Sequence, residues 1–384
     1  MMLPDVDYHL FGAHVRFGPG CASSLPAELR ALGCTRPVVL MQGRMAGSEA
    51  WRRLQEQLRD FDPHIVDTVP QHGSVELVES IAQRVAELAC DGIVALGGGS
   101  VSDTAKALAM LLAEGGTLAD HATSFTPPST VSIPVRTRPK LPIISLPTTA
   151  SGAEVTPSFG ALQGDHKLLF WNRNVAGKTV LIDPDLSLGV PIELMQYTAM
   201  NGIAHCLEGM YSRHRSILSD GIALQSLELF ARALADRSLC AADQRAHILL
   251  AGHLSGLVLS MARTCLHHAI CHVIGARHNA GHGLVNTIIL PHALRFNQPV
   301  VHEQLAPALA LVNRLSGSQH QTMADWVAAL VQDLGLPARL SHLGLADADL
   351  PAIAGQTLTE RGLALNPRPV ANSEDILFIL RQAL

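Results

Sequence analysis

Charge is scarce in this chain. Only 16% of its 384 residues are Asp, Glu, Lys or Arg, and acids outnumber bases by 33 to 28. A protein that holds nucleic acid or a charged membrane surface draws affinity from a basic excess, so a formal net charge of −5 argues against both partners. No uninterrupted apolar run approaches the roughly 20 residues that span a bilayer. The seven cysteines are scattered and odd in number, which reads as reduced thiols in a cytoplasmic protein rather than a disulfide framework. The first residues, MMLPDVDYHLFG, carry Asp5 and Asp7 and lack a basic stretch followed by an apolar one, so no secretory signal is expected. Hydrophobic residues make up 48% of the chain, and its length suits two domains with separate cores.

Residues 1–190 alternate between short apolar strand signals and amphipathic helical stretches. Arg36–Met41, Gly92–Leu96 and Leu141–Leu146 read as buried strands, with helices over Trp51–Leu58 and Val75–Ala89. Strand, helix, strand with short joins implies a parallel sheet with helices on its faces. Gly115–Lys140, rich in Pro, Ser and Thr, reads as surface loop. Two strands end in loops suited to a ligand. The first runs into Gly97-Gly98-Gly99-Ser100 and then a helix from Val101, whose start a capping box of Ser100 and Asp103 would fix. Glycines let amides approach a ligand, and a helix N-terminus suits a pyrophosphate. The second ends in Pro147-Thr148-Thr149-Ala150-Ser151, a group of hydroxyls at a strand end. This is neither the G-x-G-x-x-G fingerprint nor a P-loop, and a tight strand-to-helix turn is the plain alternative. After Asp183-Pro184-Asp185 the pattern turns helical, with runs at 192–212, 220–235, 241–263, 283–296 and 324–334, so a boundary is expected near Val190, between domains 1–190 and 191–384.

Histidines concentrate in Leu266–Asn297. His268 and His272 lie four apart, in a helix expected to begin near His253 and stop at Gly275, and share one face. His282 opens the following helical run, and upstream Asn201 and His205 are again four apart. Imidazoles that converge from helix ends hold a metal ion or an anionic substrate. Ordinary buried or surface histidines are the alternative for any one of them, and Cys265 and Cys271 are minor candidates as ligands.

Taken in order, Gly97–Ser100 with Asp103 and Lys106, Pro147-Thr148-Thr149 with Glu154, Asn201–Glu208 and His268–Asn297 resemble the iron-containing alcohol dehydrogenase superfamily over most of the chain. The resemblance implies a fold in which a dinucleotide-binding α/β domain precedes an all-helical catalytic domain, as in dehydroquinate synthase-like proteins, and it implies a homodimer. It also implies that Gly98, Gly99, Ser100, Asp103, Thr148, Thr149, Ser151 and Lys167 bind NAD(H) or NADP(H). Metal-binding members hold their ion with one Asp and three His. Those positions fall on Asn201, His205, His268 and His282, and His272 matches a further active-site histidine. An amide in place of the carboxylate should weaken divalent-metal binding by on the order of several kcal/mol.

That departure resembles the maleylacetate reductase branch, as do Gln71-His72, Val75-Glu76 and the run His267–His272. Ser102-Asp103-Thr104 and Gly281–Asn286 are closer to metal-dependent members. The resulting expectation is an NAD(P)H-dependent reductase of an oxo acid, without a favoured metal. In it, protonated His205, His268 and His282 surround the substrate while His272 relays a proton. Arg263, Arg277 and His278 are candidates for a second carboxylate. A metal-dependent alcohol dehydrogenase or aldehyde reductase, liganded by Asn201 and the three histidines, is the alternative. An inactive dinucleotide-binding relative and a lyase that uses the dinucleotide transiently are further ones. No acid follows Arg36–Met41, and Arg44 stands there instead, so NADPH is not disfavoured.

Overall fold

Strands Pro37–Met41 (β2), Gly92–Gly97 (β4), Ile143–Pro147 (β5) and Thr179–Ile182 (β6) are buried along their whole length, so their apolar runs do not alternate. Continuous burial is what a parallel sheet covered on both faces imposes. The computed structural model, which describes residues 12–126, 130–164, 166–236 and 238–384, joins them to two further strands. These are His14–Phe17 (β1) and His64–Val66 (β3), and the sheet order is β1-β6-β5-β4-β2-β3, all parallel. The N-terminal stretch read for a targeting signal lies outside the described residues.

Register matters more than order here. Gly97 pairs with Pro147 across β4 and β5, and Met41 pairs with Leu96 across β2 and β4. The glycine turn, the Thr149 loop and the segment carrying Arg44 therefore leave the sheet at one level, at its carboxyl edge. Open α/β sheets bind ligands at that edge.

Helices Glu49–Gln57 (α1), Val75–Glu87 (α2) and Gly99–Glu114 (α3) connect the strands. Ser100 and Asp103 form no capping box. The N-cap is Gly98, the Ser100 hydroxyl donates to the Gln71 carbonyl, and Asp103 accepts from the Gly160 amide at 3.1 Å. Tertiary partners outcompeted the local cap. Gly115–Lys140 is more ordered than a bare loop, containing a 3₁₀ turn at Leu118–His121 and a hairpin of Ser124–Thr126 with Thr130–Ser132. A second antiparallel hairpin, Ser158–Gln163 with His166–Trp171, had no counterpart in the sequence reading.

From Ile192 on, the described regular elements are helical: Ile192–Tyr211 (α4), Ile217–Ala235 (α5), Ala241–Ala262 (α6), Leu266–His278 (α7), His282–Ser316 (α8), Met323–Asp333 (α9), Leu350–Thr357 (α10) and Ser373–Ala383 (α11), with short 3₁₀ turns between them. By length and composition α6 alone among the described helices could cross a membrane, but over half of its apolar window is buried inside the protein. It reads as a core helix.

Three expectations about this half change. The helix expected to run from His253 breaks at Arg263, whose φ of 62° no α-helix tolerates, and restarts at Leu266. Gly275 does not stop the next helix, which continues to His278 and ends on Asn279 in the left-handed region, a role that is usually glycine's and sometimes asparagine's. The run expected over 283–296 extends through Pro291, Pro299 and Pro307 to Ser316. Tertiary packing, with residues such as Leu290, Leu294, Val301 and Leu305 fully or nearly buried, outweighs the proline penalty.

At one point the two halves meet backbone to backbone. A Cβ on Gly152, which sits at φ +66°, would lie 2.7 Å from the Gly252 carbonyl oxygen and from Gly256 Cα. A Cβ on Gly256 would lie 2.3 Å from the Gly152 oxygen. Two glycines one turn apart on α6 thus receive the backbone of the loop that follows β5.

Candidate active site

A cleft of about 840 Å³ opens over the carboxyl edge of the sheet and continues to the helical half. Gly98, Gly99, Ser100, Asp103, Thr149, Ser151 and Lys167 line one part of it, and Asn201, His205, His268, His272 and His282 line another. Thr148 is the exception among the expected residues. It is fully buried and absent from the lining, with its hydroxyl unpartnered and its amide bonded to the Gly97 carbonyl at 3.0 Å.

The glycines serve packing as much as turning. None of Gly97, Gly98 and Gly99 has a positive φ. A Cβ on Gly98 would instead fall 2.7 Å from the Thr149 hydroxyl, and one on Gly97 would fall 2.5 Å from a Val101 methyl. Glycine therefore lets two loops from neighbouring strands close on each other. Amides at the head of α3 lack intrahelical acceptors. Those of Val101 and Ser102 fold back on the Gly98 carbonyl (both 3.1 Å), which leaves Gly99 and Ser100 for a ligand in the cleft.

The histidines converge. His205 and His268 stack with ring centres 4.9 Å apart, His282 lies 5.8 Å from both His268 and His272, and His272 lies 6.1 Å from His268. Three helices supply them: α4, α7 and the first residue of α8. On α4 the spacing of Asn201, His205 and Glu208 puts all three on one face. Glu208, quoted in the sequence motif but assigned no role, is fully buried and accepts from His268 Nδ1 at 2.5 Å and from the His267 amide at 2.9 Å. That bond fixes the tautomer of His268, so its Nε2 presents a lone pair to the cleft. Glu360 similarly takes His272 Nδ1 at 3.4 Å, and a buried Glu154 takes His253 Nδ1 at 3.2 Å across the junction of the two halves.

Burial works against the expected protonation of the imidazoles. Burial first, and then neighbouring histidines, hold His205 well below the ordinary imidazole range. Burial with His272 and Lys167 does the same to His268, and burial with Lys167 and His272 to His282. Three rings pushed toward the neutral form face the cleft, and Lys167 is the basic side chain that acts on two of them, His268 and His282. Burial also raises the Glu208 carboxyl, opposed by His267 and by backbone amides.

Ligand-type atoms of Glu208, His267 and His268 lie within 4.8 Å of one another, as a metal site requires. They are already hydrogen-bonded to one another, and only His268 reaches the cleft. The trio is therefore scaffold behind the site. The four-residue set with Asn201 is the better match to an ion. Asn201 Oδ1 lies 3.2 Å from His268 Nε2. An oxygen and a lone-pair nitrogen at that separation repel, unless a cation joins them or the amide is turned so that its NH₂ donates.

Arg263 lines the cleft, whereas Arg277 and His278 are exposed and outside it, with Arg277 bonded to Gln356 at 3.2 Å. They sit on the last turn of α7, past where the helix face looks into the site. Cys265 and Cys271 are buried and absent from the cleft lining, so their position sets them apart from the site.

Comparison with known proteins agrees in extent with this architecture. The sequence model of iron-containing alcohol dehydrogenase matches residues 12–184, and that of the C-terminal region of the Fe-containing alcohol dehydrogenase family matches 195–384. A maleylacetate reductase of Sphingobium indicum is 30% identical over 372 residues, 96% of this chain and 95% of the relative. The crystal structure of maleylacetate reductase from Rhizobium sp. superposes with a TM-score of 0.82 at 25% identity, covering 99% of this chain and 98% of that one. A 1,3-propanediol oxidoreductase structure superposes at 0.89, also at 25% identity, over 99% and 100%.

Proposed function

Because the chain belongs to the iron-containing alcohol dehydrogenase family, in its maleylacetate reductase-like branch, we propose that this NAD(P)-dependent oxidoreductase reduces an oxo acid of the maleylacetate type. The observation that carries the reading is one continuous cleft with a glycine-turned helix N-terminus in one part and four convergent histidines in another. The dinucleotide, held by the Gly99 and Ser100 amides with Thr149, Ser151 and Lys167, supplies a hydride when bound. Whether hydride reaches the carbonyl carbon or an alkene conjugated with it, negative charge gathers on the oxo oxygen, and that charge sets what the protein must provide.

In the favoured reading the chain provides it without a metal. Lys167 lends positive charge to the cluster, and the neutral rings of His205 and His282 each offer one N–H to the oxo oxygen, while His268, whose N–H is committed to Glu208, shapes the pocket beside them. His272, held by Glu360, transfers the proton. Asn201 turns its NH₂ toward His268 Nε2 and locks that ring. The second reading rests on the same 3.2 Å contact and on the neutrality of the rings, since neutral imidazoles are what a divalent ion seeks. Asn201, His205, His268 and His282 would then hold the ion, which would act as a Lewis acid on the oxo oxygen.

Oxidation of NADH and NADPH should be followed against maleylacetate, other oxo acids and simple aldehydes, with and without chelator and added metal. Turnover of the oxo acid that survives chelation supports the favoured reading. Activity confined to aldehydes, or abolished by chelation and restored by iron or zinc, replaces it with the second. Arg44 lines the cleft beside the turn, and a 2′-phosphate there would meet it. Arg44→Ala should lower kcat/KM with NADPH relative to NADH by roughly 10-fold, the worth of one charge-assisted bond; an unchanged ratio would remove Arg44 from cofactor selection.

A further inference from the structure

Two arginines line the cleft on its helical side, and neither has a carboxylate bound to it among the described residues. Arg263 follows the last turn of α6 and stands exposed in the cleft, while Arg361, partly buried, opens the 3₁₀ segment Arg361–Leu365. Their backbones are pinned together, since a Cβ on Gly362 would lie 2.7 Å from the Cys265 carbonyl oxygen and 3.5 Å from that of Thr264. The segment is held further by Cys265 Sγ on the Leu365 carbonyl at 3.5 Å. The Arg361 guanidinium feels its neighbour, since burial and then Arg263 disfavour its charged form. His214, also in the lining, is depressed by burial and then by Arg263. Glu360, the residue before Arg361, favours the charged form of Arg361 but is bonded to His272.

Arg263 also holds an unusual backbone, with φ 62° and ψ −177°. Only glycine occupies that region freely, so an arginine there is strained. Like-charge repulsion disfavours the pair until an anion bridges it, and a strained backbone that holds one guanidinium in place is common at ligand sites.

We propose that Arg263 and Arg361 form a carboxylate subsite that binds the end of a dicarboxylic substrate remote from its reacting oxo group. The inference rests on the oxo-acid reading above and names what that reading leaves open, the residues that select a diacid over a neutral carbonyl compound. Both guanidiniums present paired N–H groups that match the two oxygens of a carboxylate. The same chemistry would accept a cofactor phosphate, so the test separates these two sources.

Calorimetric titration of adipate, a dicarboxylate that cannot be reduced, into enzyme saturated with NAD⁺ measures the subsite apart from turnover. Binding should weaken by roughly 10-fold or more in Arg361→Ala, and Arg361→Lys should recover part of it. Arg263→Gly should also weaken binding while raising Tm, because glycine relieves the positive φ. Loss of adipate affinity with the Kd for NADH near wild type assigns the arginines to the substrate. An equal loss of NADH affinity transfers them to the cofactor phosphates, and unaltered adipate binding in both Ala and Gly variants overturns the subsite altogether. If the wild-type enzyme reduces no oxo diacid yet binds adipate through these arginines, the activity reading fails and the subsite stands.

Discussion

Glu208→Gln tests whether the cluster works through the orientation of His268. The glutamate is fully buried, 2.5 Å from His268 Nδ1 and 2.9 Å from the His267 amide. Glutamine fills the same volume but keeps one oxygen where two donors need acceptors, and its NH₂ turns a donor toward one of them. His268 can then carry its proton on Nε2, which changes the atom facing Asn201 and the substrate from acceptor to donor. Outer partners of this kind are worth about 10- to 100-fold in activity, or about 1.4–2.8 kcal/mol of barrier. Stability should move far less. Lost hydrogen bonds to a charged acceptor are offset because glutamine no longer buries a carboxyl that burial already disfavours as an anion. The expected signature is a kcat lower by about 10- to 100-fold with Tm near wild type, read by reduced-nicotinamide absorbance and by thermal unfolding. A variant with kcat within about 2-fold of wild type would refute the orientation argument. Glu208→Ala is a different experiment, since it leaves a cavity and two unsatisfied buried donors, and it should unfold the protein more readily by about 3–5 kcal/mol.

Asn201→Asp restores a carboxylate beside three neutral imidazoles and should tighten divalent-metal binding by on the order of several kcal/mol. Metal analysis should show iron or zinc near one per chain in the variant; metal content equal to wild type would contradict the charge argument. Gly256→Ala places a methyl 2.3 Å from the Gly152 carbonyl oxygen and 2.6 Å from a Val155 methyl. It should cost about 1–3 kcal/mol and raise KM for the dinucleotide, because the Thr149–Ser151 loop must shift. Wild-type Tm and KM would show that the contact relaxes freely. His292 is held at about 4 by burial first and by Arg295 and Arg339 after it. A depressed imidazole contributes stability that is present above its unfolded value near 6.5 and is lost as pH falls from there toward 4. The slope is at most about 1.4 kcal/mol per pH unit, less here because the ring is partly exposed. Urea midpoints between pH 7 and 4.5 should fall less steeply in His292→Gln; parallel curves would rule His292 out.

The local features of the sequence carried far. Apolar runs announced β2, β4 and β5 to within a residue or two, because buried parallel strands need nothing but continuous hydrophobicity. Spacing of four put Asn201 with His205 and His268 with His272 on common faces, and these faces do meet in one cleft. Edge strands β1 and β3 and the two hairpins escaped notice, since short, partly exposed strands leave a weak alternating signal. Glu208 was visible as the acid three residues after His205, yet its partner lies 60 residues away. Arg361 had no local mark at all.

What the residues offered unaided was chemistry by type: which helices carry imidazoles, which strand ends carry glycines and hydroxyls, and that Asn201 lies one helical turn before His205. Tertiary structure alone bears on protonation, because burial, with one another's rings and Lys167 nearby, is what pushes His205, His268 and His282 toward the neutral form. It also decided that Ser100 and Asp103 serve neighbours other than their own helix, and that Arg277 and His278 face solvent. Dielectric and distance are properties of packing between segments far apart in the chain, and no periodicity within one segment encodes them.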